Sequence, residues 1–167
     1  MAIPQEEQII RWCCDSIPPD SDTVYQLLCE TNGLFRLDEG SSWDFKATWP
    51  FSLSDDYFGG LVRAICAFSN SRGGLLVFGV HDKHRTGGHN KVTINFDRFR
   101  QAVRQLIGID IPMSIRSYDH LTIGDIAVLF IPPRPLGVRP YTFQRTLGKY
   151  PSRADSDQPV SYPQALK

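Results

Sequence analysis

The run Ala67–Lys83, AFSNSRGGLLVFGVHDK, constrains the fold more than any other stretch of this chain. Upstream of it Phe58, Leu61, Val62, Ile65, Cys66 and Ser69 recur at three- and four-residue spacing, which predicts a helix starting near Ser54 or Asp55. Gly59-Gly60 weaken that helix by about 1 kcal/mol each relative to alanine. Gly73-Gly74 is its stop signal. Leu75–Val80 then places apolar residues at consecutive positions, the pattern of a central strand buried on both faces.

Other elements assemble around this core. Trp43, Phe45, Ala47 and Trp49 alternate with Ser42, Asp44, Lys46 and Thr48, a period of two that predicts a half-buried strand ended by Pro50. A polar loop over 82–90 leads to a short strand, Lys91–Ile94, and a helix from about Asp97 to Ile107 with Gly108 as its stop. Ile111–Tyr118 and Asp125–Ile131 read as two strands joined by a turn, followed by the rigid Pro132-Pro-Arg-Pro135. Tyr141–Arg145 and Lys149–Arg153 read as a hairpin. Near the start, Gln5–Cys14 has loose helical spacing, and Ser21 or Asp22 caps a second helix running to about Glu30, closed by Asn32-Gly33. The expected organisation is an N-terminal helical extension over 1–36 and one α/β (α+β) domain over 37–153, its mixed sheet flanked by helices. A polar tail over 154–167 is either loosely ordered or leads into a further region.

Composition limits the function classes. No stretch approaches the roughly 20 apolar residues of a membrane helix, and the N-terminus lacks the pattern of a secretory signal. Cys13, Cys14, Cys29 and Cys66 contain no Cys-x-x-Cys pair, so reduced thiols in a cytoplasmic protein are expected, with no zinc site evident. The net charge of zero hides a segregation. Residues 1–57 hold 3 basic and 11 acidic side chains, whereas 58–153 hold 14 basic and 5 acidic. Either the later segments build a polyanion-binding surface, or the two halves neutralise each other on the folded surface.

Three carboxylates carry the chemical interest: Glu39, Asp44 and Asp82. Acids converging from different elements suit Mg²⁺ or Mn²⁺, which prefer oxygen ligands and neutralise charge developing in phosphodiester cleavage. Glu39 and Asp44 would face opposite sides of one regular strand, so they converge only if Gly40-Ser41-Ser42 turns the chain. Asp44 alone is equally an exposed strand carboxylate paired with a neighbour, and Asp82 a turn residue. Lys46, on Asp44's face, either contacts phosphate or pairs with Asp44. The Ser69–Gly74 turn beside Arg72 either admits a phosphate or is simply a helix cap. His81, His84 and His89 lack the pairing that zinc requires and read as loop residues. Arg145, Lys149, Tyr150 and Arg153, with Arg134 and Arg139, mix cations with an aromatic as a nucleic-acid groove does, and as a solvated hairpin also does.

Taken together, Glu39, Asp44, Phe45 and Lys46, then Ala67, Phe68, Asn70, Gly73 and Gly74, then Gly79, Val80 and Asp82, with Tyr150 and Arg153 near the end, resemble the AlbA-like domain of the Schlafen family over about 37–153. In the Schlafen ribonucleases the positions matching Glu39, Asp44 and Asp82 are catalytic, metal-binding carboxylates that cleave tRNA and rRNA. Asp44 stands where those enzymes have glutamate, and His81 replaces a further acid. The resemblance implies a metal-dependent endoribonuclease with Glu39, Asp44 and Asp82 as ligands, and Lys46, Arg72, Lys83, Arg85, Arg145, Lys149 and Arg153 contacting nucleic acid, RNA before DNA. The enzymes join two such lobes in a horseshoe, which a homodimer of this chain would rebuild. The alternatives are a non-catalytic DNA- or RNA-binding module of a larger regulatory or defence protein, and a self-association domain.

Overall fold

A computed structural model describes residues 5–15, 18–36, 42–81, 83–88 and 94–142. Helix α3, Asp56–Asn70, begins where the Asp55 carboxylate accepts the Phe58 N–H at 2.9 Å. It buries Phe58, Leu61, Val62, Ile65, Cys66 and Ser69, the stripe expected from its spacing. At its end the Phe68 carbonyl takes N–H groups from Ser71 and Gly73. Gly73 then adopts φ +86, and a side chain on it would meet the Ile131 carbonyl oxygen at 2.7 Å. A Cβ on Gly74 would lie 2.3 Å from the Phe68 ring. Protein atoms fill the space around the glycine pair, so its role is a tight exit into strand β2, Gly74–Phe78.

Strand β1, Trp43–Lys46, runs parallel to β2, with Trp43 opposite Leu75 and Lys46 opposite Phe78. Strand β4, Ile126–Ile131, is antiparallel to β2, and β3, Ser114–Tyr118, is antiparallel to β4. The spatial order is β1-β2-β4-β3, a mixed sheet with β2 and β4 at its centre. Both central strands are buried along their whole length. Leu76, Phe78, Ala127, Leu129 and Ile131 share a core with α3 and with α4, Phe96–Ile107. Leu75, Val77, Ile126, Val128 and Phe130 lie in a second core with Trp43 and the N-terminal helices α1, Gln5–Cys14, and α2, Ser21–Leu28. The fold is therefore α+β, with helices on both faces of one sheet.

The N-terminal helices contribute Ile9, Trp12, Val24, Tyr25 and Leu28 to that second core. Each large apolar side chain so buried contributes roughly 1.5–3 kcal/mol. The Cys13 thiol also donates to the Gly74 carbonyl at 3.2 Å, which joins α1 to the first residue of β2.

Several boundaries differ from the pattern. The cap of α2 is Asp20, which accepts the Thr23 N–H at 2.8 Å, instead of Ser21 or Asp22. The helix stops at Leu28 because Cys29 is extended and bridges Phe35, so Asn32-Gly33 forms the turn of that small bridge and does not cap the helix. The alternation expected over Ser42–Trp49 ends at Lys46, whose carbonyl receives the Gly79 and Val80 N–H groups at 2.8 and 3.2 Å. Ala47 and Thr48 bend, and Trp49 turns to the face opposite Trp43, with its ring 5.0 Å from Phe78 and 4.7 Å from Phe99. Helix α4 is capped by Asn95 and stops at Gly108, at φ 88, as its pattern requires. Of the expected strand Lys91–Ile94, residues 91–93 lie outside the described residues, as do the hairpin from residue 143 onward and the 154–167 tail.

Candidate nucleic-acid interface

Trp43 and Phe45 belong to the core under α1 and α2, so period two puts Asp44 and Lys46 on the α3 face of edge strand β1. The Lys46 Nζ lies 3.1 Å from Asp44 Oδ2, with side chains 29% and 22% exposed. Both groups keep some contact with solvent, where an incoming charge could compete for either.

The chain leaving β2 passes directly over this strand end through the Gly79 and Val80 bonds to Lys46. It then enters the loop that contains Asp82. His81 closes that loop by pairing with both Thr86 and Arg85 through its backbone, at 2.8 Å each. Its Nδ1 accepts the N–H groups of Lys83 and His84 at 3.2 Å, and the two imidazoles lie with centroids 4.4 Å apart. These contacts give His81 and His84 an architectural task, while His89 lies outside the described residues.

Arg85 is also held internally. Its backbone is in the left-handed region at φ 56, its carbonyl accepts from Phe35, and its guanidinium donates to the Phe35 carbonyl at 2.9 Å and to Glu30 at 3.3 Å. Only 17% of its side chain is exposed. That engagement makes Arg85 a strut between the loop and the Cys29–Phe35 bridge, where the sequence suggested a phosphate contact. On the other side, Gly87 and Gly88 donate to Ile123 and Asp125 at 2.7 and 2.8 Å, and a Cβ on Gly87 would stand 2.7 Å from the Gly124 backbone. The Tyr25 hydroxyl donates to the Gly124 carbonyl at 2.7 Å, which fixes the β3–β4 turn against α2. Burial pushes that phenol's pKa up, reinforced by Asp125.

Lys83 is exposed in this loop. Arg72 is exposed too, but it precedes β2 whereas Lys83 follows it. About 13 Å of strand separates the two ends, so Arg72 and Lys83 stand at opposite ends of β2, with Asp44 in register with Leu76 between them. At the Arg72 end, the strap after β4 is clasped by α3. Asn70 donates its side-chain amide to the Tyr141 carbonyl at 3.0 Å and accepts the Tyr141 N–H at 2.7 Å. Ser69 donates its hydroxyl to the Pro132 carbonyl and accepts the Arg134 N–H on its own carbonyl. Sequence reading placed Asn70 only within a motif; its amide, able to donate and accept at once at a helix end, was the available signal.

Glu39, Asp82, Arg145, Lys149 and Arg153 lie outside the described residues. Among the described residues no group of three His, Cys, Asp or Glu side chains gathers. Burial pushes the Cys13 and Cys66 thiols up to about 12 and Cys29 to about 11, which keeps them protonated and poor metal ligands at neutral pH. On α4, Arg100 and Arg104 line a shallow open depression with Asp97 and Asp110, and the Arg100–Asp110 pair at 2.8 Å offsets its charge. No helix among the described residues is long and apolar enough to cross a membrane.

The sheet order, the covered central strands and the acid–lysine pair on the edge strand define a small α+β domain with a polar strand end. The family described as Schlafen, AlbA_2 matches residues 39–159, and the chain belongs to that family. The match begins after α2, so both N-terminal helices precede it. No curated protein matches the chain. Among solved structures, the DIP2311 protein of Corynebacterium diphtheriae is similar at 16% identity and a TM-score of 0.47, over 81% of this chain. This chain spans 23% of the length of that one. The N-terminal domain of a RecG-related ATP-dependent DNA helicase protein from Nitrosomonas europaea is similar at 15% identity and a TM-score of 0.47, over 77% of this chain and 82% of that domain.

Proposed function

We propose that this chain binds nucleic acid and is a divalent-metal-dependent endoribonuclease acting on structured RNA such as tRNA. The observation that supports this best is the topology of the β1–β2 end. Asp44 projects from the edge strand, and the chain leaving β2 folds over Lys46 immediately before it reaches Asp82. Glu39, Asp44 and Asp82 would hold Mg²⁺ or Mn²⁺; Asp44 fits, being a partly exposed carboxylate whose ion-pair partner among the described residues is Lys46. The ion, when bound, polarises the phosphoryl oxygens and stabilises the developing charge. Lys46 would pass from Asp44 to a phosphate, and exposed Lys83 would steer the backbone.

The 3.1 Å Lys46–Asp44 contact also supports a second reading, a non-catalytic DNA- or RNA-binding module. There Lys46 neutralises Asp44 permanently and no metal enters.

Incubating tRNA and Mn²⁺ with wild type, Asp44→Ala and Asp82→Ala separates the two. The nuclease reading expects cleavage by wild type that falls to background in both variants. Equal cleavage by all three, or none by any, leaves only the binding module. Affinity for RNA that does not fall as salt rises would remove the phosphate-binding reading as well.

A further inference from the structure

The loop joining β1 to α3 carries an exposed aromatic whose surroundings are rigid. Phe51 is 73% exposed. Its neighbours on either side are anchored: Trp49 and Pro50 are buried, Leu53 packs against the α3–α4 core, and the Ser54 N–H and hydroxyl both bond the Ser52 hydroxyl. The Phe51 ring is therefore presented by a fixed backbone, with little conformational freedom left to lose on binding. Tyr57, 38% exposed on the first turn of α3, donates its hydroxyl to the Thr48 carbonyl at 2.6 Å. That bond seats its ring against the bend two residues beyond Lys46. Lys46 ends β1 where this loop departs, and Asp44, two residues earlier, projects from the same face of the strand, the one that α3 covers. Lys46, Phe51 and Tyr57 thus flank one bend of the chain, which the Tyr57–Thr48 bond ties to α3.

We propose that Phe51, supported by Tyr57, is a stacking platform for an unpaired base of single-stranded nucleic acid whose phosphates lie along Lys46 and Lys83. The inference rests on the nucleic-acid reading above and adds strand state to it. Aromatic faces accept any base, so the platform selects unpaired over paired bases and imposes no sequence. A duplex offers its phosphates to the lysines and no free base face to Phe51.

The test is equilibrium binding by fluorescence anisotropy in EDTA, which stops metal-dependent cleavage. The probes are a labelled single-stranded oligouridine of about 12 nucleotides and an RNA duplex of the same length. The platform expects Phe51→Ala to weaken single-strand binding about five- to a hundredfold. Duplex binding should change less than about twofold, with the logarithmic salt slope unaltered because no phosphate contact is lost. Phe51→Trp restores the single-strand affinity. By contrast Lys83→Ala weakens both probes and lowers the salt slope by about one. Single-strand affinity unchanged in Phe51→Ala, or lost equally for both probes, overturns the platform while the nucleic-acid reading stands. A wild type that binds neither probe overturns both.

Discussion

At Gly74 a single methyl group has nowhere to go. Its Cβ would sit 2.3 Å from the Phe68 ring, and Phe68 cannot retreat without disturbing the helix end that closes on its carbonyl. Gly74→Ala should therefore cost about 1–3 kcal/mol in urea unfolding, the cost of overpacking. Gly60 is the opposite case: helical, with only the Arg63 guanidinium tip 3.8 Å away. Gly60→Ala should stabilise by roughly 0.5–1 kcal/mol, since alanine is the better helix former and restricts the unfolded chain. Equal effects of the two substitutions would contradict the packing described. The same turn shows what residue chemistry reveals alone. Gly73-Gly74 announces a break, yet phosphate loop and tight exit look alike in sequence, and only the positions of Phe68 and Ile131 decide. Arg85 is similar, because its partners Glu30 and Phe35 come from a bridge that local pattern did not disclose.

Among the elements, β2, α3, α4 and β4 were legible because one dominant force, apolar burial, writes their periodicity. Ends were less so. Asp20, Ser21 and Asp22 are all competent caps, and tertiary packing chose the first. The alternation in the sequence runs on to Trp49, but the strand ends at Lys46, whose carbonyl is taken by the Gly79 and Val80 N–H groups as the chain leaves β2. The N-terminal helices precede the family match, but their side chains cover Leu75, Val77, Val128 and Phe130. A chain beginning at Leu37 should therefore expose that sheet face, and aggregate or lose its cooperative thermal transition. A soluble fragment with the full-length melting temperature would show that α1 and α2 are dispensable.

At the scale of the whole molecule, three of the four thiols, those of Cys13, Cys29 and Cys66, are buried. Cys13, Cys29 and Cys66 have folded-state pKa values raised above the usual 9.0 by burial. A raised value means the folded form holds protons that the unfolded chain releases. Stability from these groups is thus complete below pH 9 and falls as pH climbs from 9 toward 12. The fall is about 1.4 kcal/mol per pH unit for each thiol that stays protonated. Under reducing conditions, urea midpoints measured from pH 7 to 10.5 should fall above pH 9, and Cys66→Ala should fall less steeply. Identical slopes would place the loss elsewhere. Charge on this scale was the least legible quantity: the acidic and basic halves of the chain interleave through ties such as Glu30–Arg85, so a count along the sequence says little about faces.

The seat of Gly87 on Gly124 bears on how relatives of this protein can diverge. With no side chain on either residue, the separation of the two loops is fixed by backbone alone. A substitution at one position cannot be answered by a smaller residue at the other, because none exists. The two glycines should therefore persist together or be lost together, and an aligned set of relatives in which only one survives would mark members whose loop after β2 has left its place beside the β3–β4 turn.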